Sequence, residues 1–114
     1  MKNRSLKFSE LSYKVIGCAM EVHRVLGPGL MESAYQRCLA HEFDIRGIAY
    51  NAEYPLPVSY KAIDLDCGYR LDFLVENTII LELKSVEKLL PIHEAQLMTY
   101  MKLLSAKEGL LINF

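Results

Sequence analysis

Apolar and polar residues follow two different periods along this chain. Over residues 8–26 the apolar positions recur at steps of three and four, which predicts an amphipathic helix that ends at Gly27-Pro28-Gly29. A second helix is predicted over residues 30–46, because Gly47 then supplies a stop signal. The first part of the chain is therefore expected to be helical.

The middle of the chain is rich in β-branched and aromatic residues. Residues 48–60 are expected to form an edge strand or a strand with a break, because Pro55 and Pro57 cannot donate to a central ladder. Three further strand-like runs cover residues 62–65, 69–75 and 78–86.

Helical spacing returns at Pro91, a residue type that is tolerated at the first position of a helix. The final run, LLINF, is typical of a buried strand. The order helix, helix, three or four strands, helix, strand predicts an α/β domain with a mixed sheet. An unprotected edge strand would be open to pairing, so the pattern allows a homodimer.

Two charges interrupt the apolar strand TIILELKSV at residues 78–86. Side chains alternate along a strand, so Glu82 and Lys84 share one face with Ile80, and an ion pair is expected there. An ionised group in an apolar setting costs several kcal/mol unless it is paired or bound. The pair therefore needs a structural or a chemical explanation.

Asp72 is a similar interruption in the preceding strand, YRLDFLVEN. A three-residue loop at residues 76–78, in which Asn77 tolerates a left-handed conformation, would place Asp72 opposite Glu82. The two carboxylates would repel each other, which favours a raised pKa or a bound hard cation such as Mg²⁺ or Mn²⁺. Lys84 could then activate water or stabilise charge on a phosphate. The structural alternative is a salt-bridge cluster on a solvated sheet face.

Both flanking helices carry polar residues at helical spacing. Glu32 lies in the first turn of the second helix with Tyr35 one turn on, and its structural explanation is a favourable contact with the helix dipole. His93, Gln96 and Tyr100 form a stripe on the third helix. That stripe is explained equally by a solvated face, by core packing or by hydrogen bonds to the lysine, a carboxylate or a phosphate.

Composition limits the function classes. The 114 residues fit one domain, with 13 basic and 14 acidic residues and a net charge of −1. No overall positive field would attract a polyanion, so a nucleic acid would need a local patch or a metal ion. No apolar run reaches the roughly 20 residues of a membrane span, and the first residues lack a signal-peptide core. A cytoplasmic protein without a membrane partner is expected.

In combination, the motifs Gly29-x-x-Glu32-x-x-Tyr35, Asp72, Glu82-x-Lys84 and Gln96-x-x-x-Tyr100 resemble the GxxExxY protein family, a branch of the PD-(D/E)XK nuclease superfamily. The resemblance covers nearly the whole chain, as a single domain over residues 1–114. It implies a restriction-endonuclease-like αβββαβ core, with a mixed sheet flanked by helices.

The resemblance also implies roles for individual residues. Asp72 and Glu82 resemble metal ligands, Glu32 an additional carboxylate, and Lys84 the catalytic lysine. The carbonyl of Leu83 would complete the metal shell. Supporting positions are Tyr35, His93, Gln96 and Tyr100.

Three functions follow from these observations. The first is a Mg²⁺- or Mn²⁺-dependent nuclease that hydrolyses phosphodiester bonds, with DNA favoured over RNA. The second is a catalytically silent binding or scaffold module that acts through a protein partner. The third is a metal-free structural cluster without enzymatic function.

Overall fold

The computed structural model describes residues 9–66 and 68–114. Its helices are α1 (Glu10–Leu26), α2 (Glu32–Arg46) and α3 (Pro91–Leu104). These bounds match the predicted helices, although Phe8, where the first helical pattern begins, lies outside the described residues. Within the described ranges no helix combines the length and the hydrophobicity of a membrane span.

Glycines end the first two helices, as the sequence predicts. The chain leaves α1 at Gly27, whose N–H donates to the His23 carbonyl, and leaves α2 at Gly47 in a left-handed conformation. Pro91 opens α3, and Ser9 accepts a hydrogen bond from the Ser12 N–H at the start of α1. Local sequence signals therefore determine the helix ends.

Six strands form two sheets: β1 (Tyr50–Pro55), β2 (Val58–Tyr60), β3 (Ile63–Leu65), β4 (Arg70–Val75), β5 (Ile79–Lys84) and β6 (Glu108–Asn113). The main sheet has the order β1-β4-β5-β6, and β2 and β3 form a separate antiparallel pair. Because β5 and β6 are parallel and the other pairs antiparallel, the sheet is mixed, as predicted.

Residues 48–60 are predicted to form an edge strand or a strand with a break, and the structure shows both features. Its first part, β1, lies at an edge of the main sheet and ends at Pro55, and its second part, β2, starts after Pro57. Five strands consequently precede α3, not the three or four predicted, because each part pairs in a different sheet.

Two apolar clusters cover the two faces of the main sheet. Helices α1 and α2 pack on one face, where Ile79, Leu81 and Leu83 of β5 are buried. Helix α3 packs on the other face against Ile80. This alternation is the one predicted for β5, and it assigns Glu82 to the α3 face.

Strand β4 changes face at Asp72. Phe73 belongs to the cluster under α1 and α2, whereas Leu71, two residues earlier, belongs to the cluster under α3. In a regular strand these two side chains would share one face. The neighbouring strand is distorted at the same level, since Glu53 lies between the pairs Ala52–Phe73 and Tyr54–Leu71 and has a positive φ of 54°.

Tyr35 connects the loop before α2 to the core. Its buried hydroxyl donates to the Gly27 carbonyl and accepts from the Leu30 N–H at 3.2 Å, and its ring stacks on Phe114 at 4.3 Å. Ser85, directly after β5, donates from its hydroxyl to the Leu30 carbonyl at 2.6 Å. The start of α2 is therefore fixed to the end of β5.

Replacing Tyr35 with Phe is expected to lower the free energy of unfolding by about 1–2 kcal/mol, because the Gly27 carbonyl and the Leu30 N–H both lose a partner. Urea titration measures the loss. The matched control is Tyr50→Phe, which removes a surface hydrogen bond to Asp44 and should change the value by less than about 0.5 kcal/mol. Equal losses in both variants would contradict this account of Tyr35.

Candidate active site

The hairpin between β4 and β5 sets the register of the site. Val75 pairs with Ile79, which leaves residues 76–78 as the loop, and Glu76 and Asn77 both have positive φ. The predicted three-residue loop is therefore confirmed. The last paired residues are Phe73 and Leu81, and continuing this register places Asp72 opposite Glu82.

Beyond that last pair, side-chain carboxylates bridge the two strands. The Asp72 N–H donates to Oε2 of Glu82 at 2.7 Å, and the Leu83 N–H donates to Oδ2 of Asp72 at 2.7 Å. Each carboxylate thus accepts a main-chain N–H of the opposite strand. The structure brings Asp72 and Glu82 together, as the sequence predicts.

Burial strongly changes the protonation of these carboxylates. Glu82 is 8% exposed, and its pKa is raised to about 7, chiefly by desolvation, with the nearby Asp72 carboxylate adding to the shift. The pKa of Asp72 is raised as well, first by burial and then by the charges of Glu32 and Glu53. Hydrogen bonds from the main chain and the charge of Lys84 oppose both shifts.

Lys84 is half-buried on the same strand face as Glu82. The ion pairs within residues 9–66 and 68–114 are Arg24–Glu21 and Arg46–Glu42, so the expected pair between Glu82 and Lys84 is wrong. The Glu82 carboxylate bonds to the Asp72 N–H instead. The structural alternative of a solvated salt-bridge cluster is also wrong, because Glu82 is buried and unpaired with Lys84.

Two residues outside the predicted set of site residues complete this region. Gln36 donates from Nε2 to Oε2 of Glu53 at 2.7 Å and to the Asp72 main-chain carbonyl at 3.2 Å. Gln36 had a signal, since it lies one turn after Glu32 on the same helix face. Glu53 had only its charge as a signal, since it is the one charged residue of β1.

The other predicted residues lie around the carboxylates. Glu32 is exposed in the first turn of α2 and contributes its charge to the pKa shifts of Asp72 and Glu82. Tyr100 is buried, and its pKa is raised first by burial and then by the Glu82 charge, with the nearby Gln96 opposing the shift.

His93 and Tyr35 make structural contacts. The Leu90 N–H donates to Nδ1 of His93 at 2.9 Å, which closes the N-terminus of α3. The Tyr35 hydroxyl is bonded to the loop at residues 27–30. Both residues therefore support elements that carry the site.

The comparison with protein families agrees with this geometry. The family model described as the PD-(D/E)XK nuclease superfamily matches residues 9–114. Because the match covers most of the chain, this protein belongs to the PD-(D/E)XK nuclease superfamily, and the predicted restriction-endonuclease-like fold is confirmed. Searches of curated proteins and of solved structures found no match. Membership of the GxxExxY branch stays a prediction.

Members of this superfamily typically use divalent metal ions, and the oxygen donors of the site fit such an ion. In each of these two carboxylates, one oxygen accepts a hydrogen bond from the described residues, namely Oδ2 of Asp72 and Oε2 of Glu82. The other oxygens, Oδ1 and Oε1, accept none there and are available to a cation. No group of three or more acidic, His or Cys side chains in the described part gathers around one point. Two carboxylates suffice for Mg²⁺, which usually keeps several waters.

The raised pKa of Glu82 predicts how stability depends on pH. The carboxylate ionises at a pH of about 7 in the folded state and near its ordinary 4.5 when unfolded, so the folded state binds the proton more tightly. The stabilisation that proton binding to Glu82 gives the folded state is full below about pH 4.5 and is lost as the pH rises through about 7. At about 1.4 kcal/mol per pKa unit, the loss is about 3 kcal/mol.

Glu82→Gln should therefore be more stable than the wild type by about 3 kcal/mol at about pH 8 and nearly equal to it at about pH 4.5. Its amide oxygen can still accept from the Asp72 N–H. Urea unfolding in EDTA at both pH values measures the difference between the two proteins, in which the effects of groups that do not interact with Glu82 cancel. A difference that does not grow with pH would refute the assigned shift.

Proposed function

We propose that this protein is a metal-dependent phosphodiesterase that hydrolyses nucleic acid, with DNA preferred to RNA. The observation that carries the proposal is the convergence of the buried Glu82 carboxylate and the half-buried Asp72 carboxylate from adjacent strands, beside Lys84, which forms no ion pair within the described residues. Membership of the nuclease superfamily supports the same class of reaction.

Asp72 and Glu82 would hold Mg²⁺ or Mn²⁺ through their oxygens Oδ1 and Oε1, with the Leu83 carbonyl as a further donor. A divalent ion supplies Lewis acidity toward a phosphate oxygen and relieves the repulsion between the two carboxylates. Glu32 adds negative charge at the edge of the site and strengthens its attraction for a cation. Oxygen donors of this kind suit hard ions.

Lys84 would place its ammonium group against the negative charge that develops on the scissile phosphate. Its position two residues after Glu82 on the same strand keeps it on the α3 face with the carboxylates. A preorganised cation in a partly desolvated site stabilises such charge more strongly than it would in water. Lys84 can also orient the attacking water.

The surrounding polar residues would support this arrangement. Gln36 holds the main chain of Asp72, while Gln96 and Tyr100 extend a polar stripe of α3 toward the carboxylates. Tyr35 and His93 fix the starts of α2 and α3. The side chains that act on substrate would therefore be held by packed elements.

Cleavage assays test the proposed reaction. With Mg²⁺ or Mn²⁺ the wild type should cut labelled DNA, and Lys84→Ala and Glu82→Ala should each lose about 10²–10³-fold or more of that activity. Lys102→Ala, which removes an exposed lysine from the last turn of α3, should retain full activity. Parallel single-stranded, double-stranded and RNA substrates define the substrate class.

Equal cleavage by all four identically purified proteins would indicate a contaminating nuclease. A complete absence of cleavage with every metal and substrate would reject the proposed reaction and favour the binding or scaffold module.

Metal binding is a separate prediction that does not depend on cleavage. Isothermal titration of the wild type with Mn²⁺ should show one binding event, which Asp72→Ala and Glu82→Ala should each abolish, because both remove a carboxylate donor. The exposed acid Glu94 in the first turn of α3 offers the control variant Glu94→Ala, which should bind Mn²⁺ as the wild type does. Unchanged binding in the two site variants would place the ion elsewhere.

A further inference from the structure

A groove of about 350 Å³ opens along α3 on the α3 side of the sheet. Its lining includes Leu56, Val58, Tyr69, Gln96, Tyr100 and Leu103. The volume is at the lower end of the range in which proteins hold small organic groups. The carboxylates and Lys84 do not line it, so the groove is distinct from the proposed catalytic centre.

The walls of the groove combine apolar and aromatic surface with one amide. Tyr69 is 49% exposed although it lies beside the buried Tyr100, with ring centroids 6.4 Å apart. Gln96 is exposed at the rim and carries both a donor and an acceptor. A flat aromatic group with polar edges matches this lining, because it can stack on the tyrosine ring while its edge meets the amide.

Tyr100, which lines the groove, places it near the carboxylates. Tyr100 lies close enough to Glu82 and Asp72 for their charges to raise its pKa. Tyr69 precedes Asp72 by three residues, which corresponds to about 10 Å of extended chain. A group bound on Tyr69 would therefore lie about a nucleotide or two from a phosphate at the carboxylates.

We propose that this groove binds one unpaired nucleobase of the substrate strand, stacked on Tyr69, and that the substrate is therefore single-stranded nucleic acid or a frayed end. The proposal rests on the proposed function and adds the substrate class. A base inside a duplex is stacked and paired on both sides, so it cannot enter the groove without being extruded.

Binding measured without cleavage tests the groove independently of the reaction. Fluorescence anisotropy in EDTA compares a labelled thymidine oligonucleotide of about 12 nucleotides with an abasic strand of equal length and charge. Tyr69→Ala should bind the thymidine strand about tenfold or more weakly than the wild type does. Tyr69→Phe, which retains the ring, should bind as the wild type does.

Three controls separate stacking on Tyr69 from the loss of any exposed tyrosine ring, from charge and from unfolding. Tyr13→Ala removes another exposed tyrosine ring, on α1 in the layer across the sheet from α3, and should not weaken binding. The abasic strand should bind equally to the wild type and to Tyr69→Ala, because it presents phosphates without bases. Circular dichroism and urea unfolding of each variant show whether the fold is retained.

The outcomes distinguish this inference from the proposed function. Preferential loss of the thymidine strand in folded Tyr69→Ala supports the groove, even if no metal produces cleavage. Equal weakening toward both strands, no weakening, or no binding of the thymidine strand by the wild type overturns it. Cleavage of intact blunt duplex DNA as fast as single strands would overturn the inferred substrate class and leave the proposed nuclease intact.

Discussion

The reciprocal hydrogen bonds between two carboxylates and two strands organise the centre of this molecule. Asp72 and Glu82 each accept an N–H from the strand opposite, beyond the last regular pair of β4 and β5. Main-chain N–H groups that would otherwise be buried without partners are satisfied by groups that would otherwise be too costly to bury. The regular strand pairing can therefore end here without leaving these two donors unsatisfied.

The cost of this arrangement remains in the folded state. A pKa of about 7 for Glu82 means that burial disfavours its ionised form, and a main-chain hydrogen bond offsets only part of that effect. The rest of the fold must supply the free energy that burying the ionised Glu82 costs, and hydrogen bonds around the site contribute to it. Asn113, for example, holds the loop after β5 through two hydrogen bonds with the main chain of Val86, and the Phe114 N–H donates to the Lys84 carbonyl. Function of this kind commonly draws on stability provided elsewhere.

The parts of the site that short-range signals specify could be predicted from the sequence. Asn77 favours the left-handed turn, the turn sets the register, and the register with strand alternation brings Asp72 to Glu82. The absence of an ion pair with Lys84 could not be predicted in this way. Side chains two residues apart on a strand start about 6–7 Å from each other, so whether they meet depends on competing partners, here the Asp72 N–H.

Glu53 shows a second limit of sequence reasoning. Its positive φ is uncommon for glutamate, and no residue preference indicates that it would occur in a strand. The conformation coincides with the level at which β4 changes face, so it depends on long-range pairing and not on local sequence. Gln36 of α2 donates hydrogen bonds both to Glu53 of β1 and to the Asp72 carbonyl of β4. Helix α2 is therefore hydrogen-bonded to both strands where they are distorted.

An overall charge of −1 constrains how such a protein can bind a polyanion. No overall positive field attracts the polyanion, because the basic residues are balanced by acids across the chain. A metal ion contributes positive charge only at the carboxylates, so forces that do not depend on net charge gain importance away from that point. Stacking on an exposed ring is such a force, and the exposed Tyr69 in the groove along α3 provides it. The substrate would then be selected by the accessibility of its bases and not by its charge, which double-stranded and single-stranded nucleic acids share.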